Sequence, residues 1–266
     1  MTVELLAFTC GSFQAPLSFF LGGNDNKFLI SPIPAYLIHH ATKGMALFDT
    51  GLGYRFRQEM DVHLPPDKMG FTFRESDELS ARLRAAGIDP ADIRWVINSH
   101  LHCDHCGGNA SFPNATIVVQ RREKEAAYAS EGNPVYDPRD FDTGQPYLLV
   151  DGEHDFFGDG SLILMPTWGH TPGHQSARVR LPGGDVILTA DCCYLERNLD
   201  TFGIPATTYD FEASLDVLKR LKAMRADGTR LFYGHDEKQW RHVPQATPIR
   251  LKSSQVLRTG MVGRER

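Results

Sequence analysis

The sequence predicts an α/β fold organised as one domain over residues 1–266. Three observations carry that expectation. Strand-length apolar runs alternate with segments of helical periodicity along the whole chain, with no repeat, low-complexity tract or linker. Apolar residues make up 41% of the 266 positions against 23% charged, enough to bury a core without cross-links. Histidines, finally, gather where predicted strands run into loops.

The elements follow in order. Residues 3–8 read as a strand. Residues 10–31, rich in Gly, Ser, Asn and Pro, read as a long loop anchored by Phe19, Phe20, Leu21 and Phe28. Residues 35–39 and 45–48 read as paired strands around a turn at 42–44, and Asp49-Thr50-Gly51 as the turn closing the second. Residues 54–75 read as irregular. Between Asp77 and Ala86, Leu79, Leu83 and Ala86 recur at helical spacing, with Gly87 at the C-cap. Residues 93–98 and 116–120 are short apolar strands, 121–129 a helix and 131–147 a loop. Strands follow at 162–165, 177–181 and 186–189, the last two joined by Pro182-Gly183-Gly184. Residues 211–224 form the clearest helix, with Asp210 as N-cap and Phe211, Leu215, Leu218 and Leu221 on one face. A last strand, 230–233, runs into Gly234-His235-Asp236.

Composition narrows the function. A net charge of −5 lacks the basic footprint of a nucleic-acid binder, and no run approaches the ~18–20 apolar residues of a membrane span. No basic residue precedes the first apolar stretch, so the N-terminus does not read as an export signal, and a cytoplasmic location is expected. The five cysteines, Cys10, Cys103, Cys106, Cys192 and Cys193, are odd in number and argue against a disulfide framework. Cys103 and Cys106 form a C-x-x-C, but it lies inside a histidine cluster and has no second copy.

That cluster is His100-Leu101-His102-Cys103-Asp104-His105. On an extended segment His100 and His102 point the same way, while Leu101 points back to the core. Imidazoles beside a hard carboxylate suit zinc. Four ligand-type side chains in six residues exceed one tetrahedral site with an open position, and so suggest two metals. Leaving so many titratable groups buried without a metal would be costly. Further candidates end other strands: His170, Asp191 and His235. His174 is expected to orient or pack beside the site. His39, His40, His63, His154 and His242 read as structural.

His100-x-His102-x-Asp104-His105, followed by His170, Asp191 and His235, resembles the metallo-β-lactamase superfamily. The resemblance runs from about residue 34 to 240. It implies a four-layer αββα sandwich with metals at one edge. By it, His100, His102 and His170 hold one zinc, Asp104, His105 and His235 hold the other, and Asp191 bridges. The cofactors implied are two zinc ions, with manganese, cobalt or iron as alternative occupants.

Within the superfamily the stretches 99–109, 114–121, 169–176, 191–194 and 234–236 are most similar to N-acyl-homoserine lactone lactonases. Those enzymes carry a tyrosine three residues after the bridging aspartate, here Tyr194, which contacts the lactone. Cys103 departs from the pattern, standing where many of them have a bulkier apolar residue. The likeness implies ring opening, as in quorum quenching, by a metal-bridging hydroxide. Tyr194 would stabilise the oxyanion and Asp104 would deliver the leaving-group proton. Loops 11–31 and 54–75 would shape the pocket. Phe19, Phe20 and Cys103 are its candidate contacts, and Phe13, Met60, Met69, Phe71 and Phe73 are either anchors or lining.

The expected partner is a small lactone, acted on by a monomer or homodimer without nucleic acid or membrane. The alternatives are hydrolysis of another lactone, ester or thioester on the same fold, and a non-catalytic metal-binding protein.

Overall fold

The computed structural model describes residues 3–59, 65–130 and 135–251. Two mixed β-sheets form its centre. β1 (Val3–Pro16), β2 (Phe28–His40) and β3 (Gly44–Phe48) pair antiparallel, with α1 (Leu17–Leu21) between β1 and β2. After α2 (Tyr54–Glu59), β4 (Gly70–Thr72) returns to the outer edge of β1. α3 (Leu79–Ala85) then leads to β5 (Ile93–Ile97), which lies parallel to β3. The single-turn α4 (Cys103–Cys106) precedes β6 (Thr116–Gln120), α5 (Arg121–Ala129), α6 (Pro138–Phe141) and β7 (Tyr147–Val150). This sheet runs β4-β1-β2-β3-β5-β6-β7.

The second sheet runs β12-β11-β10-β9-β8. Its strands are β8 (His154–Asp155), β9 (Leu162–Pro166), β10 (Gln175–Leu181), β11 (Gly184–Leu188) and β12 (Arg230–Phe232). α7 (Glu196–Thr201) and α8 (Phe211–Ala226) separate β11 from β12, and α9 (Glu237–Trp240) follows.

Period-two alternation stacks these elements into four layers. Leu5, Ala7, Ala46, Phe48 and Ile97 of the first sheet meet Leu162, Leu164, Ala177, Val179, Val186 and Leu188 of the second in one core. Their outward neighbours Leu6, Phe8, Leu47 and Val96 pack with Leu79 and Leu83 of α3. On the opposite face Ile163, Met165, Ile187 and Leu231 pack with Val217, Leu218 and Leu221 of α8. The result is the αββα sandwich. On α8, Asp210 accepts from the Ala213 amide as N-cap, but Phe211 is exposed and Val217 takes the expected core place.

Two regions differ from the expected loops. Residues 10–31 continue β1, form α1 and begin β2. Gly11, at φ +99°, carries β1 through a register shift between Thr9 and Ser12. Pro32 and Pro34 are tolerated in β2 because β3 pairs only with Tyr36 through His40, so their ring nitrogens owe no ladder bond on that side. Residues 54–75 contain α2 and β4 rather than only irregular chain, and residues 131–147 contain α6 and the start of β7.

β9, β11 and β12 share one direction, since β10 is antiparallel to both β9 and β11 while β12 is parallel to β11. The C-terminal ends of β3 and β5 likewise lie together, and the Gln175 amide bonds the Ser99 carbonyl at 2.9 Å across the sheets. All the expected ligands therefore leave strands at one edge of the sandwich.

Candidate metal centre and cleft

The ligand-type side chains collect in two adjoining groups. His100, His102, His170 and Asp191 form one, and Asp104, His105 and His235 the other. In the first, the His170 Nε2 lies 3.2 Å from both the His100 Nε2 and the His102 Nδ1. Asp191 stands between the groups. Its Oδ1 lies 3.2 Å from the His105 Nε2 and 3.1 Å from the His235 Nε2, and its Oδ2 lies 3.5 Å from the His170 Nε2 and 3.8 Å from the His100 Nε2. Asp104 Oδ2 lies 3.7 Å from both His105 and His235. Ligands at ~2.0–2.1 Å from a tetrahedral zinc sit about 3.3 Å apart, so these spacings suit such an ion.

The other side of four of the five rings is already engaged. The His105 Nδ1 bonds Asp49 at 2.9 Å, and the His235 Nδ1 donates to the Pro32 carbonyl at 2.7 Å. The His100 Nδ1 meets the Ser99 hydroxyl at 3.0 Å, and the His170 Nδ1 meets the Tyr194 hydroxyl at 3.2 Å. A nitrogen that donates its proton outward turns a lone pair inward. Converging lone pairs need a cation between them. The buried His105 Nε2 and Asp191 Oδ1 have no hydrogen-bond partner. The donor set therefore fits a pair of metal ions.

In the first group the electrostatics favour the ligating form. Burial, with the neighbouring imidazoles His105, His102 and His170, holds His100 far below its usual range, and burial pushes His102 down to about 4. Burial also lowers His170 strongly. Neutral imidazole is the form that ligates. In the second group burial opposes protonation of His105, but Asp191, Asp104 and Asp49 outweigh it and raise the ring's pKa. Against its own burial, His105 and His235 hold Asp191 far below the usual carboxylate range.

The backbone builds this edge under strain and at close quarters. Asp49 and Ala190, at φ +61° and +46°, are left-handed without being glycine. Asp49 thereby accepts from the Ser99 amide at 2.7 Å and the Ser99 hydroxyl at 2.8 Å while holding His105. Gly53 is required by contact: a Cβ there would lie 1.8 Å from the Gly107 carbonyl oxygen.

Above the two groups opens a cleft of about 760 Å³. Phe13, Phe19, Met69 and Phe71 line it, together with Cys103 and the ligand-type Asp104. Tyr136, Thr171, Arg122 and Tyr209 line it as well. Tyr194, 3% exposed, reaches the cleft between Asp191 and His170, and burial, with Asp191 and Asp104 adding, holds its phenol far above the usual pKa.

Several expected residues fall elsewhere. Phe20 does not line the cleft. It is fully buried beneath Phe13 and Phe19, its ring 5.6 Å from Tyr194, because α1 turns it inward. Phe73 is also buried. Met60 and His63 lie outside the described residues. His174 is in neither group; it bonds Thr167 at 2.8 Å with its ring 5.2 Å from His100. His40 bonds Asp159 at 2.9 Å, and among the described residues His39, His154 and His242 join neither group. All five cysteines are free thiols.

Sequence reasoning missed Asp49, read only as a turn residue, and Glu123, which the polar run Arg121–Glu125 disguised as a solvated charge. Glu123 is fully buried. Its one sequence signal is the i,i+4 spacing to Ala127 on the inner face of α5.

A four-layer αββα sandwich with paired His/Asp groups at its strand ends defines the class of metal-dependent hydrolase folds. The chain belongs to the metallo-beta-lactamase superfamily, whose family model matches residues 30–235. Within it, the chain is 36% identical to the N-acyl homoserine lactonase AttM of Azorhizobium caulinodans over 82% of this chain and 86% of that protein. It is 38% identical to the AttM of Rhizobium radiobacter over 84% and 89%. Among solved structures it is similar to an N-acyl homoserine lactone hydrolase with the product N-hexanoyl-L-homoserine bound at its catalytic metal center. That match has a TM-score of 0.80 and 29% identity, and covers 94% of this chain and all of that one. AidC, a dizinc quorum-quenching lactonase, shares the fold at a TM-score of 0.67 and 19% identity, over 88% of each chain.

Proposed function

We propose that this chain, acting as one hydrolase domain, is a dinuclear zinc enzyme that opens the lactone ring of N-acyl-homoserine lactones. The observation that carries the reading is Asp191, whose two oxygens face the two ligand groups separately on the floor of the cleft. His100, His102 and His170 would hold one ion, Asp104, His105 and His235 the other, and Asp191 would bridge. Bound there, two zinc ions supply Lewis acidity and a water activated at neutral pH.

The chain's own groups do the rest. With the His170 Nε2 turned to the metal, its Nδ1–H donates to the Tyr194 oxygen, which leaves the phenol proton free to donate into the cleft. That donor is aimed at the oxygen that gains charge as the ester carbonyl is attacked. Asp104 lines the cleft and can carry a proton from the attacking water to the departing ring oxygen, giving a carboxylate and an alcohol. Phe13, Phe19, Met69 and Phe71 offer an apolar wall for an acyl chain.

A cytoplasmic setting, where thiols stay reduced, goes with this reading. Among the described residues no helix is long and apolar enough to cross a membrane.

The test is a panel of lactones, esters, thioesters and phosphodiesters on protein whose metal content is counted. Two ions per chain with preferred opening of acyl-homoserine lactones is expected. Two ions without lactone turnover would move the substrate to another class, and fewer than two would remove the dinuclear centre.

A further inference from the structure

Glu123 is a carboxylate buried completely, and among the described residues no lysine or arginine pairs with it. Four donors satisfy it instead. Its Oε1 accepts from the Leu101 amide at 3.1 Å and the Tyr136 hydroxyl at 3.0 Å, and its Oε2 accepts from the Thr171 hydroxyl at 2.7 Å and the Gly173 amide at 3.0 Å.

Each partner adjoins one ligand group. Leu101 lies between His100 and His102, and Thr171 follows His170. Tyr136 sets its ring 5.1 Å from that of His102. The loop after His170 is pressed onto the start of α5 so closely that a Cβ at Gly173 would fall 2.2 Å from the Glu123 amide nitrogen. One side chain thus ties together three segments far apart in sequence, and what they share is His100, His102 and His170.

The other group has supports of its own: the Pro32 carbonyl for His235 and Asp49 for His105, Asp49 reaching His100 as well through the Ser99 hydroxyl. Among the described residues no hydrogen bond joins Glu123 to either support.

We propose that Glu123 is a positioning residue for one half of the metal centre, holding the His100/His102/His170 triad in register without touching metal or substrate. The proposal rests on the dinuclear reading above. A carboxylate is required because its two oxygens meet four donors. In Glu123→Gln, whichever way the amide is turned, its NH2 faces two of those donors. Outer hydrogen-bond partners of metal ligands are worth roughly 10–100-fold in metal affinity, and here that loss should fall on one ion.

The experiment loads the full chain with cobalt and titrates it with a chelator while recording the visible spectrum and the bound metal. His102→Ala serves as reference for the spectrum of the Asp104/His105/His235 half alone. Glu123→Gln should release one ion at roughly 10–100-fold lower chelator concentration than the parent, leaving a spectrum that matches His102→Ala. Thr171→Val should shift the same ion in the same direction, and Thr171→Ser, which keeps the hydroxyl, should restore it. These two variants carry the test if Glu123→Gln does not fold. Parental midpoints for both ions, or equal weakening of both, would overturn the proposal. A parent chain that binds fewer than two ions would instead refute the dinuclear reading beneath it.

Discussion

Replacing Tyr194 by Phe isolates one hydroxyl. The Tyr194 ring packs with Phe20 at 5.6 Å and Phe19 at 6.3 Å between centroids, and those contacts survive the change. In the resting fold the loss is one hydrogen bond, that to the His170 Nδ1 at 3.2 Å, worth about 1 kcal/mol of stability. On the proposed mechanism the loss in the transition state is larger. Tyr194 is 3% exposed as a residue, and a phenylalanine ring in its place offers no donor to the cleft. Removing one preorganised oxyanion donor typically lowers kcat by roughly 10²–10³, or about 2.7–4 kcal/mol. Tyr194→Phe should therefore bind both ions, melt within a few degrees of the parent and turn over roughly a hundredfold more slowly, with KM little changed. Proton release during ring opening gives kcat and KM, and metal analysis of the same samples gives occupancy. Parental kcat at full occupancy would remove Tyr194 from the reaction. A fall that tracked metal loss would make it a support for His170 instead.

Three further outcomes follow from the geometry. Asp49→Asn strips the charge from the acceptor of His105 and Ser99, and should weaken the ion of the Asp104/His105/His235 half by roughly 10–100-fold; unchanged chelator midpoints would refute it. Gly53→Ala places a Cβ 1.8 Å from the Gly107 oxygen and should cost about 3 kcal/mol or more in urea unfolding, whereas a loss below ~1 kcal/mol would show that the two backbones part freely. Burial lowers the pKa of His174 to about 3, while an unfolded histidine protonates near 6.5, so unfolding takes up a proton between those values. Stability should fall with decreasing pH across that window more steeply in the parent than in His174→Gln, by up to about 1.4 kcal/mol per pH unit; parallel curves in urea unfolding would place the dependence elsewhere.

Where pattern and packing coincide, the sequence was readable. Residues 116–120 and 121–129 were expected as strand and helix and form β6 and α5, because a short apolar run of strand length gives way at Arg121 to a polar, alanine-containing segment of helix formers. The metal candidates were readable because ligand chemistry demands rare residue types at strand ends. Residues 10–31 were not. Prolines and glycines there are ordinary loop signals, and only the incomplete pairing of β2 explains why Pro32 and Pro34 fit in a strand. Phe19 and Phe20 looked alike in sequence, and a five-residue helix sends one to the cleft and the other to the core. Glu123 shows the same limit: a charge in a polar run declares its burial only when three distant segments close over it.

The two ligands that share Asp191 Oδ1 differ in how exposed they are to mutation. His105 takes its orientation from the Asp49 side chain, which a single base change can delete. His235 takes its orientation from the Pro32 carbonyl, which stays in place whatever residue occupies position 32 as long as the strand keeps its path. Sequence drift can therefore release the His105 side of this group through one side chain, while His235 stays aimed until the strand itself moves.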